Sequence, residues 1–141
     1  MGFTGSIEER LAIRELYGMY GDASWRGDRE QWLSCFTQDG RWTSHLFDAT
    51  GHDELRATWD GLWEDWQYVA FLGEIGAMDV EGEAAQCRSY AREIVRLNSG
   101  GTFKLAGRYD DTLVKVKREW KFARRDYTLM IDEFPPEMQQ P

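Results

Sequence analysis

Cysteine, proline and histidine are scarce in this chain of 141 residues, which has only two cysteines, three prolines and two histidines. Cys35 and Cys87 show neither the CxxC spacing nor the neighbouring histidine that zinc sites usually have. We therefore predict two reduced thiols in the core and no metal site.

A surplus of positive charge and long apolar runs are also missing. The net charge is -8, which argues against nucleic-acid binding because contacts to phosphates need a basic surface. No segment resembles a signal peptide, and none is apolar enough to cross a bilayer. We expect a cytoplasmic protein with no nucleic-acid or membrane partner.

Several motifs of well-known enzyme classes are absent as well. The sequence has no Walker loop, no Rossmann glycine fingerprint, no histidine-rich metal constellation and no nucleophile elbow. Nucleoside triphosphate, dinucleotide and serine-hydrolase chemistry therefore have no support.

Aromatic residues, in contrast, are abundant at 14% of the chain, with seven Trp, seven Phe and six Tyr. This content indicates that aromatic side chains either line a space for something large and flat or fill that space themselves. The length predicts one domain, residues 1–141, that can bury its own core. Residues 1–83 hold 17 acidic and 6 basic side chains, whereas residues 84–141 hold 8 and 11, which we interpret as two layers of that domain.

The first half has the pattern of helices. Ser6 and Glu9 form a capping box in front of an amphipathic run, which predicts a helix over about residues 7–25 that ends at Gly27. We expect a short second helix at "DREQWLSCF", a strand at "RWTSHLF" and a third helix that begins near Gly51. Tryptophans at spacings of four and three predict one stripe on the third helix: Trp59, Trp63 and Trp66.

From residue 68 onward the pattern is that of strands. Four segments, residues 68–82, 83–97, 101–117 and 119–133, are separated by the turn-like "EGE", "NSGG" and "KRE", which predicts an antiparallel meander. Together with the helices and the early strand, it predicts an α+β fold: a cone-shaped barrel in which a strongly curved, mostly antiparallel sheet wraps a long helix. We expect an ordered core over about residues 7–132 and an extended or mobile tail at 133–141, where prolines end regular structure.

The stretches "AIRELYGMYGDASWRGDREQWLSCFTQDGRW" and "AGRYDDTLVKVKREWKFARR" resemble the opening and the closing strands of SnoaL-like proteins. These belong to the nuclear-transport-factor-2-like superfamily, which includes ketosteroid isomerase, scytalone dehydratase and polyketide cyclases. The resemblance covers about residues 7–132 and implies the cone fold with a cofactor-free pocket for a hydrophobic, often cyclic ligand. Because the superfamily also contains non-enzymes, it does not imply one reaction.

Many lyase-type members of that superfamily pair a carboxylate at the end of the first helix with a histidine on a later strand. On this chain the two positions hold Trp25 and Phe71, so a base of that kind cannot be assumed. Asp22 is the nearest acid. It lies away from the buried helix face, and we expect mainly a structural role for it, such as pairing with an arginine of a closing strand.

Tyr20 lies on the buried face of the first helix, where some SnoaL-like dehydratases also place a tyrosine acid. It is a candidate catalytic acid or else a core aromatic, and Tyr17 on the same face is a weaker candidate. His45 on the early strand is a candidate acid or base. It has the opposite strand parity to Trp42, so both can face inward only across a bulge.

The strand "CRSYAREIV" offers two alternating faces. The resemblance implies that the face with Tyr90 and Arg92 lines the cavity, where a phenol and a fixed positive charge would suit an enolate, phenolate or carboxylate. The alternative places these side chains on the outside of the sheet.

Asp111 is the best candidate carboxylate for a base if its face points inward, although it could equally anchor Arg92 or Arg125. Arg125 matches an arginine common in the final strand of SnoaL-like proteins and is a candidate substrate-binding group. We assign the remaining candidates to the pocket wall or the core: Tyr17, Trp25, Trp42, Trp63 and Phe71.

The resemblance and these residues together favour a cofactor-independent acid–base enzyme of the lyase, dehydratase, isomerase or cyclase type, acting on a small hydrophobic, aromatic or polycyclic molecule. The alternative, suggested by the missing dyad, is a non-catalytic ligand-binding or assembly module. By resemblance we also expect a homodimer or homotrimer.

Overall fold

The computed structural model describes residues 1–136 and consists of three helices and one seven-stranded sheet. The helices are α1 (Ile7–Arg26), α2 (Arg29–Ser34) and α3 (His52–Trp63). The strands are β1 (Phe3–Thr4), β2 (Phe36–Thr43), β3 (Asp48–Thr50), β4 (Trp66–Glu81), β5 (Ala84–Leu97), β6 (Thr102–Val116) and β7 (Glu119–Glu133).

The strands follow the order β1-β4-β5-β6-β7-β2-β3 in a curved, unclosed sheet. Strands β4 to β7 form an antiparallel meander, while β1 joins β4 and β2 joins β7 in parallel. Helix α1 lies across the concave face and packs mainly against β4. The predicted α+β cone is confirmed.

Local chemistry explains the boundaries of α1. The Ser6 hydroxyl accepts a hydrogen bond from the Glu9 amide at 3.1 Å, which caps the first turn. Gly27 ends the helix with φ at 63°, a conformation that glycine adopts without steric cost. Between these ends, Ile13, Leu16 and Tyr20 turn toward the sheet and are buried.

Three predicted boundaries are wrong. α2 ends at Ser34 and β2 begins at Phe36, so the predicted second helix is too long and its last residue belongs to the strand. β2 ends at Thr43, and His45 therefore lies in a loop at residues 44–47. α3 ends at Trp63, so Trp66 opens β4 instead of extending the tryptophan stripe on the helix.

The ends of the meander strands agree with the predicted turns to within a few residues. β7 ends at Glu133, after which the Phe134 ring stacks on Phe103 with ring centres 5.2 Å apart. The last five residues of the predicted tail, 137–141, lie outside the described part of the chain. Among residues 1–136, no helix combines the length and the apolar character that a membrane span requires.

Candidate active site

A cavity of about 380 Å³ lies between the helices and the concave face of the sheet. Half of the residues that line it are Phe, Tyr or Trp. Five of the seven tryptophans contribute to it: Trp32, Trp42, Trp59, Trp63 and Trp66. The volume falls within the range of small-molecule pockets. The structure thus has an aromatic-lined cavity inside the cone.

The tryptophans support one another across three elements. Trp59 and Trp63 of α3 stack with ring centres 5.1 Å apart, and Trp32 of α2 packs against Trp59 at 4.8 Å. Trp42 of β2 lies 5.0 Å from Trp32. Rings at these separations attract one another beyond the effect of their buried area, so this wall is rigid.

Glu93 of β5 is the charged group inside the cavity. Its side chain is half-buried because it opens onto the cavity, and it accepts no hydrogen bond from any residue of the chain between 1 and 136. Burial raises the pKa of this carboxyl to about 7, against the opposing influence of Arg125. Glu93 can therefore either take up or release a proton near neutral pH.

Three phenols surround this carboxyl: Tyr20 of α1, Tyr109 of β6 and Tyr127 of β7. Burial raises the pKa of each phenol, and the negative charge of Glu93 raises it further. All three stay protonated at neutral pH, so they can donate hydrogen bonds next to a carboxyl that exchanges its proton. Environments that move pKa values apart in this way are typical of acid–base sites.

The hydroxyl of Tyr127 is buried and has no hydrogen-bond partner within residues 1–136. Its ring crosses Gly107, where an added Cβ would come within 2.6 Å of the phenol oxygen. A side chain at position 107 would displace Tyr127, so glycine is required there. Tyr109 differs in that its oxygen accepts a hydrogen bond from the Trp42 indole at 3.1 Å.

The mouth of the cavity carries His45 from the loop after β2, together with Asp65 and Asp132. His45 is exposed, and because β2 stops before it, His45 and Trp42 both line the cavity without a conflict of parity. The structure therefore places His45 at the entrance and not beside Glu93.

Beneath the cavity, Asp111 and Arg125 form a buried ion pair. The Arg125 Nε and Nη2 atoms lie 2.8 and 3.1 Å from the Asp111 oxygens. Ser89 donates to Asp111 at 3.0 Å and accepts from Arg125 at 3.2 Å, while the Tyr17 hydroxyl also donates to Asp111. Asp111 does face inward, but it anchors Arg125 and lines no part of the cavity, which leaves it unsuited as a base.

Aromatic rings hold the Arg125 guanidinium from several sides. Its central carbon lies 3.7 Å from the centre of the Tyr109 ring, 4.4 Å from Phe122 and 4.5 Å from Tyr20. Burial opposes its charge, but Asp111 and the neighbouring tyrosines keep the pKa of Arg125 well above its usual value. Arg125 thus remains charged beneath the floor of the site.

The prediction of which face of β5 points into the cavity is wrong. Tyr90 and Arg92 lie on the outside of the sheet and are exposed, whereas Ser89, Ala91 and Glu93 point inward. Neither Tyr90 nor Arg92 can reach a ligand in the cavity. The charge of the site therefore differs from the predicted one, because a carboxylate lines the cavity in place of the expected arginine.

The family's dyad positions lie side by side but face different spaces. The Trp25 indole is half exposed and donates a hydrogen bond of 2.8 Å to the carbonyl of Phe71. Trp25 and Tyr17 border a separate groove between α1 and β4, while the Phe71 ring lines both that groove and the main cavity. Asp22 pairs with Arg26 on the helix surface at 3.1 Å and not with a closing strand.

Sequence reasoning missed Glu93, Tyr109 and Tyr127 as site residues. A signal for the orientation of β5 was present: Cys87, Ala91 and Val95 are small or apolar and alternate in phase with Glu93. Residue types of this kind are usually buried. No group of three potential metal ligands occurs among residues 1–136.

Comparison with known proteins identifies the family. The SnoaL-like domain profile matches residues 5–126. The chain therefore belongs to the SnoaL-like domain family, within the nuclear-transport-factor-2-like superfamily. No functionally curated protein matches it significantly.

Solved structures with the same fold include three with informative names. A proposed scytalone dehydratase from Novosphingobium aromaticivorans is 26% identical, with a TM-score of 0.85 over 92% of this chain and 89% of that chain. A proposed aromatic ring hydroxylase from the same organism is 23% identical, with a TM-score of 0.87 over 95% and 98%. A hexachlorocyclohexane dehydrochlorinase from Novosphingobium barchaimii is 15% identical, with a TM-score of 0.81 over 92% of each chain.

Proposed function

We propose that this protein is a cofactor-independent acid–base enzyme that moves a proton on a small hydrophobic, aromatic or polycyclic substrate. The reaction class is elimination of water or a similar group, or the related isomerisation or cyclisation. The observation that carries the proposal is Glu93, a carboxyl with a pKa of about 7 inside an aromatic cavity and beside protonated phenols. The kinship with a proposed scytalone dehydratase supports the same reaction class.

In this proposal Glu93 is the general base. Its ionised form takes a proton from a carbon next to an electron-withdrawing group, and a base with a pKa near the working pH combines availability with strength. The substrate ring lies against the tryptophan wall, which excludes water from the reacting carbon.

The phenols act on the developing negative charge. The Tyr127 hydroxyl is buried without a hydrogen-bond partner within residues 1–136, and a small turn of its ring toward the cavity would make it the preferred donor to the substrate oxygen or leaving group. Tyr109 supports this donor from the neighbouring strand, because its oxygen accepts from Trp42 and its hydroxyl hydrogen-bonds to Tyr20. Tyr20 completes the polar edge of the cavity.

A binding role without catalysis is the second candidate. The observation in its favour is that Trp25 and Phe71 occupy the positions of the family's carboxylate and histidine. The cavity is not filled by its own side chains, and its open volume of about 380 Å³ is large enough for either catalysis or ligand binding. The two roles differ in whether a bound ligand exchanges protons with Glu93.

The test is hydrogen exchange on a panel of cyclic ketones with one to three rings, including 2-tetralone, followed by proton NMR in deuterated buffer. We expect the protein to accelerate loss of the acidic C–H signal, and Glu93→Gln to lower this acceleration about 100-fold or more. Glu81→Gln, at an exposed carboxylate away from the cavity, is the matched control. Ligand binding with no exchange would favour the binding role, and equal exchange in Glu93→Gln would refute Glu93 as the base.

A further inference from the structure

The charged side chains that line the main cavity have one sign. Glu93 lies inside, Asp65 and Asp132 lie at the mouth, and no lysine or arginine of the described chain lines it. The nearby Arg125 is bound to Asp111 through two contacts and is not part of the cavity wall. A bound ligand therefore meets carboxylates in the wall, whereas the nearest fixed positive charge, Arg125, lies behind the wall and is paired with Asp111.

The wall adds to this preference. Five tryptophans line the cavity, and the faces of indole rings attract positive charge because their electron density is greatest there. A cation that leaves water loses its hydration, and an aromatic wall offsets more of that loss than an aliphatic wall does. An anion at the same place would be repelled by the carboxylates.

We propose that the natural ligand of this cavity is an organic cation, a compact hydrophobic molecule that carries a protonated or quaternary nitrogen. The inference rests on the proposed function insofar as both concern the same cavity, and it narrows the substrate class. Aromatic rings bind the apolar part and the alkyl groups on nitrogen, while the carboxylates balance the charge.

The volume and the spacing of the groups suit such a ligand. The stacked Trp59 and Trp63 form one side of the cavity, and Glu93 on β5 faces it from the sheet. A ring with a nitrogen substituent can thus lie against the tryptophans and keep its charge close to a carboxylate. Low local polarity strengthens that attraction relative to an exposed ion pair.

The experiment compares two molecules of the same shape. Phenyltrimethylammonium and tert-butylbenzene differ in charge and hardly in size, and benzenesulfonate serves as an anionic ligand. Binding at pH 8 is measured by ligand-observed NMR and by quenching of tryptophan fluorescence. We expect phenyltrimethylammonium to bind about tenfold more tightly than tert-butylbenzene, in line with cation–aromatic attraction in a desolvated site.

Glu93→Gln should lower the affinity for phenyltrimethylammonium about fivefold or more and leave tert-butylbenzene within about twofold, because only the charge is removed. Glu81→Gln, away from the cavity, should leave both affinities unchanged. Equal or tighter binding of tert-butylbenzene, or tightest binding of benzenesulfonate, would overturn the inference.

The outcomes separate this inference from the proposed function. If phenyltrimethylammonium binds most tightly and its binding depends on Glu93, the cation preference stands. If proton exchange on cyclic ketones does not depend on Glu93 in the same protein, the enzyme proposal fails. If the neutral molecule binds as well and exchange depends on Glu93, the enzyme proposal stands and the cation preference fails. If none of the three molecules binds, the cation preference fails, and the enzyme proposal fails with it only if ketone exchange is also independent of Glu93.

Discussion

Tyr127 and Tyr109 are neighbouring phenols with different hydrogen-bonding states. The Tyr127 hydroxyl is buried without a partner in residues 1–136, whereas the Tyr109 oxygen accepts from Trp42. A buried polar group without a partner costs stability, so a ligand is the natural partner for Tyr127. We therefore expect removal of the hydroxyl to change the free energy of unfolding in opposite directions at Tyr127 and Tyr109.

Tyr127→Phe should therefore keep or slightly raise the free energy of unfolding while lowering turnover about tenfold. Tyr109→Phe should lower the free energy of unfolding by about 1 kcal/mol, because the Trp42 indole loses its acceptor. Urea denaturation measures the first quantity, and proton exchange on the ketone panel measures the second. A Tyr127→Phe variant that is less stable than Tyr109→Phe and retains full exchange would refute the role given to Tyr127.

Glu93 also makes stability depend on pH. Its pKa is raised to about 7 in the folded chain, above the ordinary value of 4.5, so the folded state holds its proton more tightly than the unfolded state. The free energy of unfolding should therefore fall as pH rises from about 5 through 7, relative to a variant without this group.

Glu93→Gln should remove this dependence. At pH 8 we expect the variant to be more stable than the natural protein by roughly 2 kcal/mol, a value smaller than the full shift implies because the carboxyl opens onto the cavity. At pH 4.5 the two should be equally stable. Thermal and urea unfolding at both pH values check this, and a variant that is less stable at pH 8 would contradict it.

At the scale of elements, the Asp111–Arg125 pair joins three parts of the fold. Asp111 lies on β6 and Arg125 on β7, and the Tyr17 hydroxyl connects α1 to the same carboxylate. Both charged side chains are almost fully buried. Removal of one partner leaves the other charged, buried and unpaired, which is the costly case for an internal ion pair.

Asp111→Asn should accordingly lower the free energy of unfolding by about 3 kcal/mol. The matched control is Asp48→Asn, because Asp48 pairs with Arg41 at 2.6 Å but both side chains are substantially exposed. That change should cost less than about 1 kcal/mol. Urea denaturation measures the free energy of unfolding of both variants. Equal losses would mean that burial does not determine the contribution of the Asp111–Arg125 pair to stability.

β5 shows how far sequence alone could lead. Its two alternating sets of residues were evident, and the turns "EGE" and "NSGG" correctly bounded it. The choice of the inward set failed because each set mixes polar and apolar side chains, and the resemblance favoured the face with Tyr90 and Arg92. The deciding physics is the packing of Cys87, Ala91 and Val95 against the helices, which depends on tertiary structure.

The same distinction applies to the rest of the site. Tyr20 could be predicted because helical periodicity fixes its face, whereas His45 could not, because β2 ends two residues before it. The partners of Asp111 come from α1, β5 and β7, and a sequence pattern does not say which of several arginines a carboxylate will meet. Local rules thus predicted the elements, and the contacts between elements determined the chemistry.

At the scale of the whole molecule, apolar side chains are exposed on the outer face of the sheet. Tyr90, Leu72 and Met130 surround a shallow depression there, and Arg92 lies at its edge. Exposed apolar groups gathered on one face are typical of association surfaces. The prediction of a homodimer or homotrimer accordingly points to this face.

We predict that the natural protein elutes as a dimer or trimer and that Met130→Asp shifts it toward the monomer at micromolar concentration. Size-exclusion chromatography with light scattering gives the mass directly. Leu46→Asp, at an exposed apolar residue of the loop beside the cavity mouth, is the control and should leave the mass unchanged. A monomeric natural protein would contradict the prediction.

The central claim is that the cavity holds a carboxyl that titrates near neutral pH. The most direct measurement is a pH titration by NMR of protein labelled with ¹³C at the glutamate side-chain carboxyl, with Glu93→Gln used to assign the signal. A midpoint near 7 for the Glu93 signal is the predicted result, because partial burial in the cavity raises the pKa of this carboxyl. A midpoint between about 4 and 5, the ordinary range for an exposed glutamate, would contradict the account.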